Sequence, residues 1–360
     1  MYLASLTELT DYIASLTIEP TEQLMVLTAD KSAQHVPRII DHFNEKGIRF
    51  FGGIYAALLV GAKSYDEGFI VIKVEPLYSS LVLPYLMRFP LDAATLGDTT
   101  AILLVDGLSS KFKELTDTAY AKIGNKVKYI GGGAGFYDLI HRPCIYDNRG
   151  LHKDVLYVCL VKGDIQLGVE HGWRKMDGPY QVTHSRGNIL SEIDGQQAFE
   201  VYKDIIEQAE NLRLSREDFF SFAKDHPFGV QKRGHFEITV RDPITVNEDN
   251  EIVCVADIPQ DSEIYVLKGN INTLLAASEQ VADCCAKAAP ETYLPLLFDC
   301  ISRGMFLEDR FDEELANIQR RLCYPLEGAL SIGEIASRSN GDLIIHNKST
   351  ILGLLPVKGK

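Results

Sequence analysis

Apolar positions near the carboxyl end of the chain switch period twice. Leu294, Leu296, Leu297 and Phe298 form a run of strand length that stops at Asp299-Cys300. Gly304 breaks the chain soon after, and Phe311, Leu315, Ile318 and Leu322 then recur at helical spacing. Pro325 and Gly328 close that segment, and residues 329–333 return as a short strand. The pattern predicts strand, loop, helix, strand. Asp299, Cys300, Ser302 and Arg303 fall on the loop after the first strand's carboxyl end, where α/β units commonly hold ligands.

The amino-terminal half shows the pattern twice. Leu24–Leu27 reads as a buried strand, Val36, Ile39, Ile40 and Phe43 as a helix, and Ile48–Phe51 as a strand stopped by Gly52-Gly53. Ala101–Val105, then Phe112, Leu115, Ala119 and Ile123, then Val127–Ile130 and Gly131-Gly132-Gly133 repeat it. The first strands start 77 positions apart and the glycine stops 79 apart, which predicts an internal duplication sharing one sheet. Residues 294–335 read as a third, weaker echo. The fold expected is α/β, with two α/β domains, 1–194 and 195–355, meeting at the Asp194-Gly195 turn, and a disordered tail over 356–360. A hairpin turning at Lys162-Gly163-Asp164, a strand over Leu81–Phe89, a helix over Leu214–Lys224 and a strand over Phe236–Val240 are also predicted.

Composition narrows the function. The 360 residues carry a formal charge of −14, which argues against nucleic-acid and anionic-membrane surfaces. No apolar run reaches the length of a membrane span. No basic residue precedes Lys31, so a secretory leader is not expected. Seven cysteines without a CxxC pair point to reduced thiols and a cytoplasmic location.

The glycine stops admit two readings, a phosphate cradle or turn chemistry alone. No Gly-x-Gly-x-x-Gly or Gly-Lys-Ser/Thr accompanies them. Cys300 could be a nucleophile paired with His346, or a buried inert thiol. Asp299 and Arg303 read as an ion pair, although the Arg303 fork also suits a ligand carboxylate. His141 and Cys144 supply two metal ligands at most, too few for structural zinc.

The order of motifs carries a resemblance. LLFDC-x-x-RG, a charged helix, G-x-x-x-x-GEI and IIHNKST, with HGWRKMDGPYQVTHSRGNILSEIDGQQAFEVY upstream at 171–202, resemble the FIST family over roughly residues 20–355. The resemblance implies an intracellular sensory module that binds a small ligand and brings no catalytic residues. Standing alone, it would regulate a separate histidine kinase or cyclic-dinucleotide enzyme. A family subgroup binds haem and senses nitric oxide. His184 departs from the usual family motif, which makes it, or His171 as substitute, the expected iron ligand, with Trp173 and Tyr180 as porphyrin walls. The competing account is a sensor for an amino acid or other carboxylate metabolite held by Arg303, Asp299 and Cys300 between the domains. A Cys300-dependent enzyme and an interaction scaffold are the remaining alternatives.

Overall fold

The computed structural model describes residues 1–231, 238–286, 292–337 and 340–357. The predicted strand at Phe236–Val240 lies partly outside the described residues, as do residues 358–360 of the predicted tail. Pro356 is the last residue of a strand rather than part of a tail.

Three stretches of the chain follow one plan. The first contains β1 (Tyr2–Leu3), α1 (Leu6–Ser15), β2 (Gln23–Ala29), α2 (Val36–Glu45), β3 (Phe50–Tyr55), the hairpin β4 (Leu58–Val60) and β5 (Lys63–Tyr65), and β6 (Phe69–Val74). The second contains β7 (Pro76–Val82), β8 (Thr99–Asp106), α3 (Phe112–Ile123), β9 (Lys128–Ala134), the hairpin β10 (Ile145–Asp147) and β11 (Gly150–His152), and β12 (Leu156–Lys162).

The third opens with β13 (Gln166–Glu170) and is interrupted by an antiparallel insert. The insert comprises β14 (Arg174–Arg186), β15 (Ile189–Ile193), β16 (Gln196–Gln197), α4 (Ala198–Glu210), α5 (Phe219–Ala223), β17 (Phe228–Gln231), β18 (Thr239–Arg241), β19 (Pro243–Val246), β20 (Ile252–Cys254) and β21 (Glu263–Lys268). The plan then resumes with α6 (Ile271–Ala286), β22 (Tyr293–Cys300), α7 (Ile301–Leu307), α8 (Phe311–Gln319), β23 (Glu327–Ser331), the hairpin β24 (Glu334–Ser337) and β25 (Leu343–His346), and β26 (Thr350–Pro356).

Each stretch builds the centre of its own six-stranded sheet. β2 runs parallel to β3, β8 to β9 and β22 to β23. The last strand of each stretch returns antiparallel to the first of the pair, as β6 on β2, β12 on β8 and β26 on β22. The hairpins are exchanged in a ring. β4–β5 completes the sheet of β23, β10–β11 that of β3, and β24–β25 that of β9. Strands from both sides of residue 195 therefore share sheets. β12 and β13, expected to form one hairpin, lie in different sheets, because β13 pairs with β26 from the far end of the chain. The run 76–82 pairs with β12 as a strand ending at Val82 and does not extend to Phe89.

Burial explains the near-continuous apolar runs. β2 and β8 are buried at every position, as strands covered on both faces must be. β3, β9 and β23 approach one another pairwise at the centre. The glycines predicted to stop strands instead lie inside β3 and β9. A Cβ on Gly132 would stand 2.7 Å from the Ser331 Cβ, and one on Gly53 3.2 Å from the Ala134 Cβ. They are there because the sheets meet too closely for side chains, so the cradle and turn readings are both corrected. The insert has its own core around Phe199, Tyr202, Phe219 and Phe228. The helix expected over Leu214–Lys224 is only Phe219–Ala223.

Candidate functional site

The carboxyl end of β22 passes directly into α7, without the predicted loop, and Gly304 lies within that helix. Asp299 and Arg303 become fully buried, together with Glu314 from α8 and Glu334 from the first position of β24. Four residues along the chain bring Arg303 back over Asp299, with Nε 3.3 Å from Asp299 Oδ1. Arg303 donates from Nε and Nη2 to Glu314 Oε1, at 2.9 and 2.8 Å. It also donates to the carbonyls of His171, Lys348 (3.4 Å) and Leu274 (3.3 Å). All five guanidinium N–H groups are thus matched by protein acceptors. Arg303 has none to spare for a ligand carboxylate, which corrects the expectation that it grips one. It works as a buried cation that ties α7, α8, α6 and two loops together.

The carboxyls outnumber the cation. Burial, then the charge of Glu314, pushes Asp299 well above the usual carboxylate range, so that it keeps its proton and hydrogen-bonds Glu314. Burial opposes the charge of Arg303, but Glu314 outweighs it and holds the Arg303 proton more tightly than usual. Burial raises Glu334 to about 8 against the hydrogen bonds from Ser331, the Ser349 N–H and Cys300. The Ser331 hydroxyl lies 3.0 Å from Glu334 Oε1.

A pH dependence follows. The folded chain binds the Glu334 proton up to about 8, whereas the unfolded chain releases it near 4.5. The stability linked to this proton is fully present below about pH 4.5 and is lost as the pH rises through 8, with a slope of up to about 1.4 kcal/mol per pH unit. Glu334→Gln is expected to flatten the stability profile between about pH 5 and 8, as read from urea midpoints. An unchanged slope would place the proton elsewhere.

Cys300, expected as a ligand or nucleophile, stands at the amino-terminal boundary of α7, buried and without a side-chain capping bond. Burial and the neighbouring Glu334 push its thiol far up, so it stays protonated. Cys284 and Cys323 are exposed and the other five cysteines buried. Ellman's reagent should therefore titrate two thiols quickly in the native chain and five more only on unfolding; rapid modification of Cys300 would contradict this burial.

Next to this cluster, Lys348 reaches Asp242 Oδ2 (3.2 Å) and the Lys224 carbonyl (2.9 Å). The Ser302 hydroxyl donates to the same Asp242 oxygen (3.2 Å). Burial raises the Asp242 carboxyl, although Lys348 and Ser302 lower it in part. Asp242 and Lys348 are buried, while Ser302 is half-buried and opens the cluster towards solvent. Asp242 Oδ1 and Asn347 Oδ1 are buried with no hydrogen-bond donor among the described residues. Here the insert meets α7 and the β25–β26 loop. Sequence reading missed Asp242, Glu314, Glu334 and Lys348, although Glu334 stood in the GEI motif.

Residues 74–196 match the FIST N domain and residues 198–337 match the FIST C domain. The chain carries both FIST domains. These are ligand-sensing signal-transduction domains. No curated protein matches the chain. The buried cluster lies largely within the FIST C segment, while Lys348 and Asn347 come from beyond it. Among the described residues no helix is long and apolar enough to cross a membrane.

The haem residues of the FIST chain do not fit a porphyrin. His184 is exposed on β14, paired with Glu192 of β15. Trp173 packs against Phe306 and donates from Nε1 to the Lys348 carbonyl, in the core beside α7. Tyr180 packs against the separate core of the insert. Six residues, all in β14, separate Trp173 from Tyr180, and the partner strand spans the matching stretch in about five steps, roughly 17 Å. His171 is held neutral, its pKa lowered to about 4 by burial, then by Arg303 and Arg174. Its Nδ1 accepts the Trp173 N–H (3.0 Å), which leaves the ring proton on Nε2 and neither nitrogen open to iron. The structure brings Asp299, Cys300, Arg303, His171 and Trp173 to one region and leaves His184 and Tyr180 out of it.

Proposed function

We propose that this FIST chain senses a small amine-bearing metabolite, such as an amino acid, at the seam of Asp242, Ser302 and Lys348. It would report the ligand by contact to a separate protein, a histidine kinase or cyclic-dinucleotide enzyme being the partner that the resemblance implies. The observation that carries the reading is the surplus of buried acceptors. Among the described residues, Asp242 Oδ1 lacks a donor on a carboxylate that the half-buried Ser302 hydroxyl touches, and Asn347 Oδ1, next to Lys348 in the chain, lacks one too. A ligand ammonium would supply donors to these two oxygens, which the Lys348 ammonium, held on Asp242 Oδ2 at 3.2 Å, leaves unmatched. This revises the account in which Arg303 holds a carboxylate. No catalysis is proposed, since the Cys300 thiol is protonated and buried.

Thermal shift with a panel of amino acids and polyamines tests the proposal. A ligand at a hundred times its Kd adds about 2.7 kcal/mol to the folded state. The shift should appear for at least one amine and be abolished in Asp242→Asn. A panel without a shift, or a shift that Asp242→Asn retains in full, overturns the reading; haemin uptake with a Soret band would return the haem account in its place.

A further inference from the structure

On β8, Asp106 holds the place that Cys300 holds on β22. Each is the last residue of the first parallel strand, opposite Ala134 and Ser331 respectively. Two other stretches converge on Asp106. His141 comes from the segment between β9 and β10, and Asp154 from the turn between β11 and β12. His141 Nε2 lies 2.9 Å from Asp106 Oδ2 and 3.7 Å from Asp154 Oδ1. One donor atom from each of the three falls within 4.8 Å of the others.

We propose that Asp106, His141 and Asp154 bind a divalent first-row transition cation, Zn²⁺ or Mn²⁺. An imidazole with two carboxylates matches the N/O preference of these ions. At metal–ligand distances of about 2.0–2.2 Å, neighbouring ligands stand roughly 3.0–3.5 Å apart, and the two observed separations bracket that range. A second observation points the same way. The Asp106 side chain is 1% exposed, yet its Oδ1 accepts no N–H or O–H hydrogen bond among the described residues. The nearby Cys144 thiol, which burial and then Asp106 itself keep protonated, is a weak donor and points to the Ala134 carbonyl (3.5 Å). A carboxylate this deep and this poorly matched calls for a cation.

The supporting contacts pre-orient the carboxylates. Asp106 Oδ2 accepts the Asp154 N–H (2.8 Å), and Asp154 Oδ1 accepts the Ser109 hydroxyl (2.6 Å). Asp154 holds this position from a backbone φ of +56°. The His141 and Asp154 side chains are 29% and 35% exposed, so an ion enters from solvent and completes its coordination with water or an anionic group. Bound there, it pins to the end of β8 the loop on which Tyr137, Leu139 and Ile140 stand exposed.

The test starts from EDTA-stripped protein dialysed separately against Zn²⁺ and Mn²⁺, with retained metal measured by elemental mass spectrometry. One equivalent per chain of one of these ions is expected, lost in His141→Ala and in Asp154→Asn and kept in His184→Ala, a surface control. Circular dichroism checks that the variants fold. A readout on the unmodified chain needs no variant: the bound ion should slow hydrogen exchange over residues 137–143. Failure of the wild type to retain either ion, retention of the equivalent in both variants, or unchanged exchange over that loop overturns the site.

Discussion

Arg303→Ala is expected to cost about 3–5 kcal/mol of folding stability, the range for removing one partner of a buried ion pair. The loss comes less from the contacts deleted than from what they leave behind. Glu314 would face a protonated Asp299 in a fully buried space with no cation, and the carbonyls of His171, Lys348 and Leu274 would lose donors. Arg303→Lys should recover little, because one ammonium cannot reproduce five directed N–H groups. The double variant Arg303→Met with Glu314→Leu should recover much of the loss, since it removes the stranded charge with its partner. Urea unfolding of the three variants checks the ordering. A cost under about 1 kcal/mol for Arg303→Ala would mean that the cluster is hydrated and soft.

Gly133→Ala should be nearly as damaging, at about 3 kcal/mol or more, beyond ordinary overpacking because backbone must move. The added Cβ would sit 1.9 Å from the Ile332 carbonyl oxygen. Relief requires parting β9 from the 331–334 turn, where Gly133 donates to the Gly333 carbonyl and accepts from the Ile332 N–H, each at 2.8 Å. Gly97→Ala is the matched control, since nothing lies within 4 Å of its added Cβ. It should be neutral or slightly stabilising. Equal melting temperatures for the two variants would count against close contact between the sheets.

Much of the local structure was legible because it rests on local pattern. Apolar runs at 24–27, 101–105 and 294–298 marked strands buried on both faces, and 3.6-residue spacing marked α2, α3 and α8. The partners of those strands were not legible. Leu58–Val60 pairs with a strand some 270 residues away, and nothing in its own sequence names that partner. The glycines misled for the same reason. A glycine inside a strand looks like a terminator until the opposing sheet is in place. At the sites, Asp299 and Arg303 were found together because one helical turn joins them. Glu314, Glu334 and Asp242 join them only through tertiary packing. His141 was noticed beside Cys144, whereas its partners are Asp106 and Asp154, 35 and 13 positions away. The haem residues were grouped by adjacency in sequence, whereas an extended strand separates Trp173 from Tyr180 in space.

The ring of exchanged hairpins sets a timetable for the newborn chain. Residues 58–65 leave the ribosome early, yet the sheet that they complete waits for Glu327–Ser331. At about 5–20 residues per second, that interval is on the order of ten seconds to a minute. Through it, the apolar strand Leu58–Val60 has no native sheet to join, and β3 waits in turn for Ile145–Asp147. Closing the ring is therefore a late event that rests on contacts far apart in sequence, which makes folding slow. Chaperone demand during synthesis, rather than marginal stability afterwards, is the burden that this topology places on the cell.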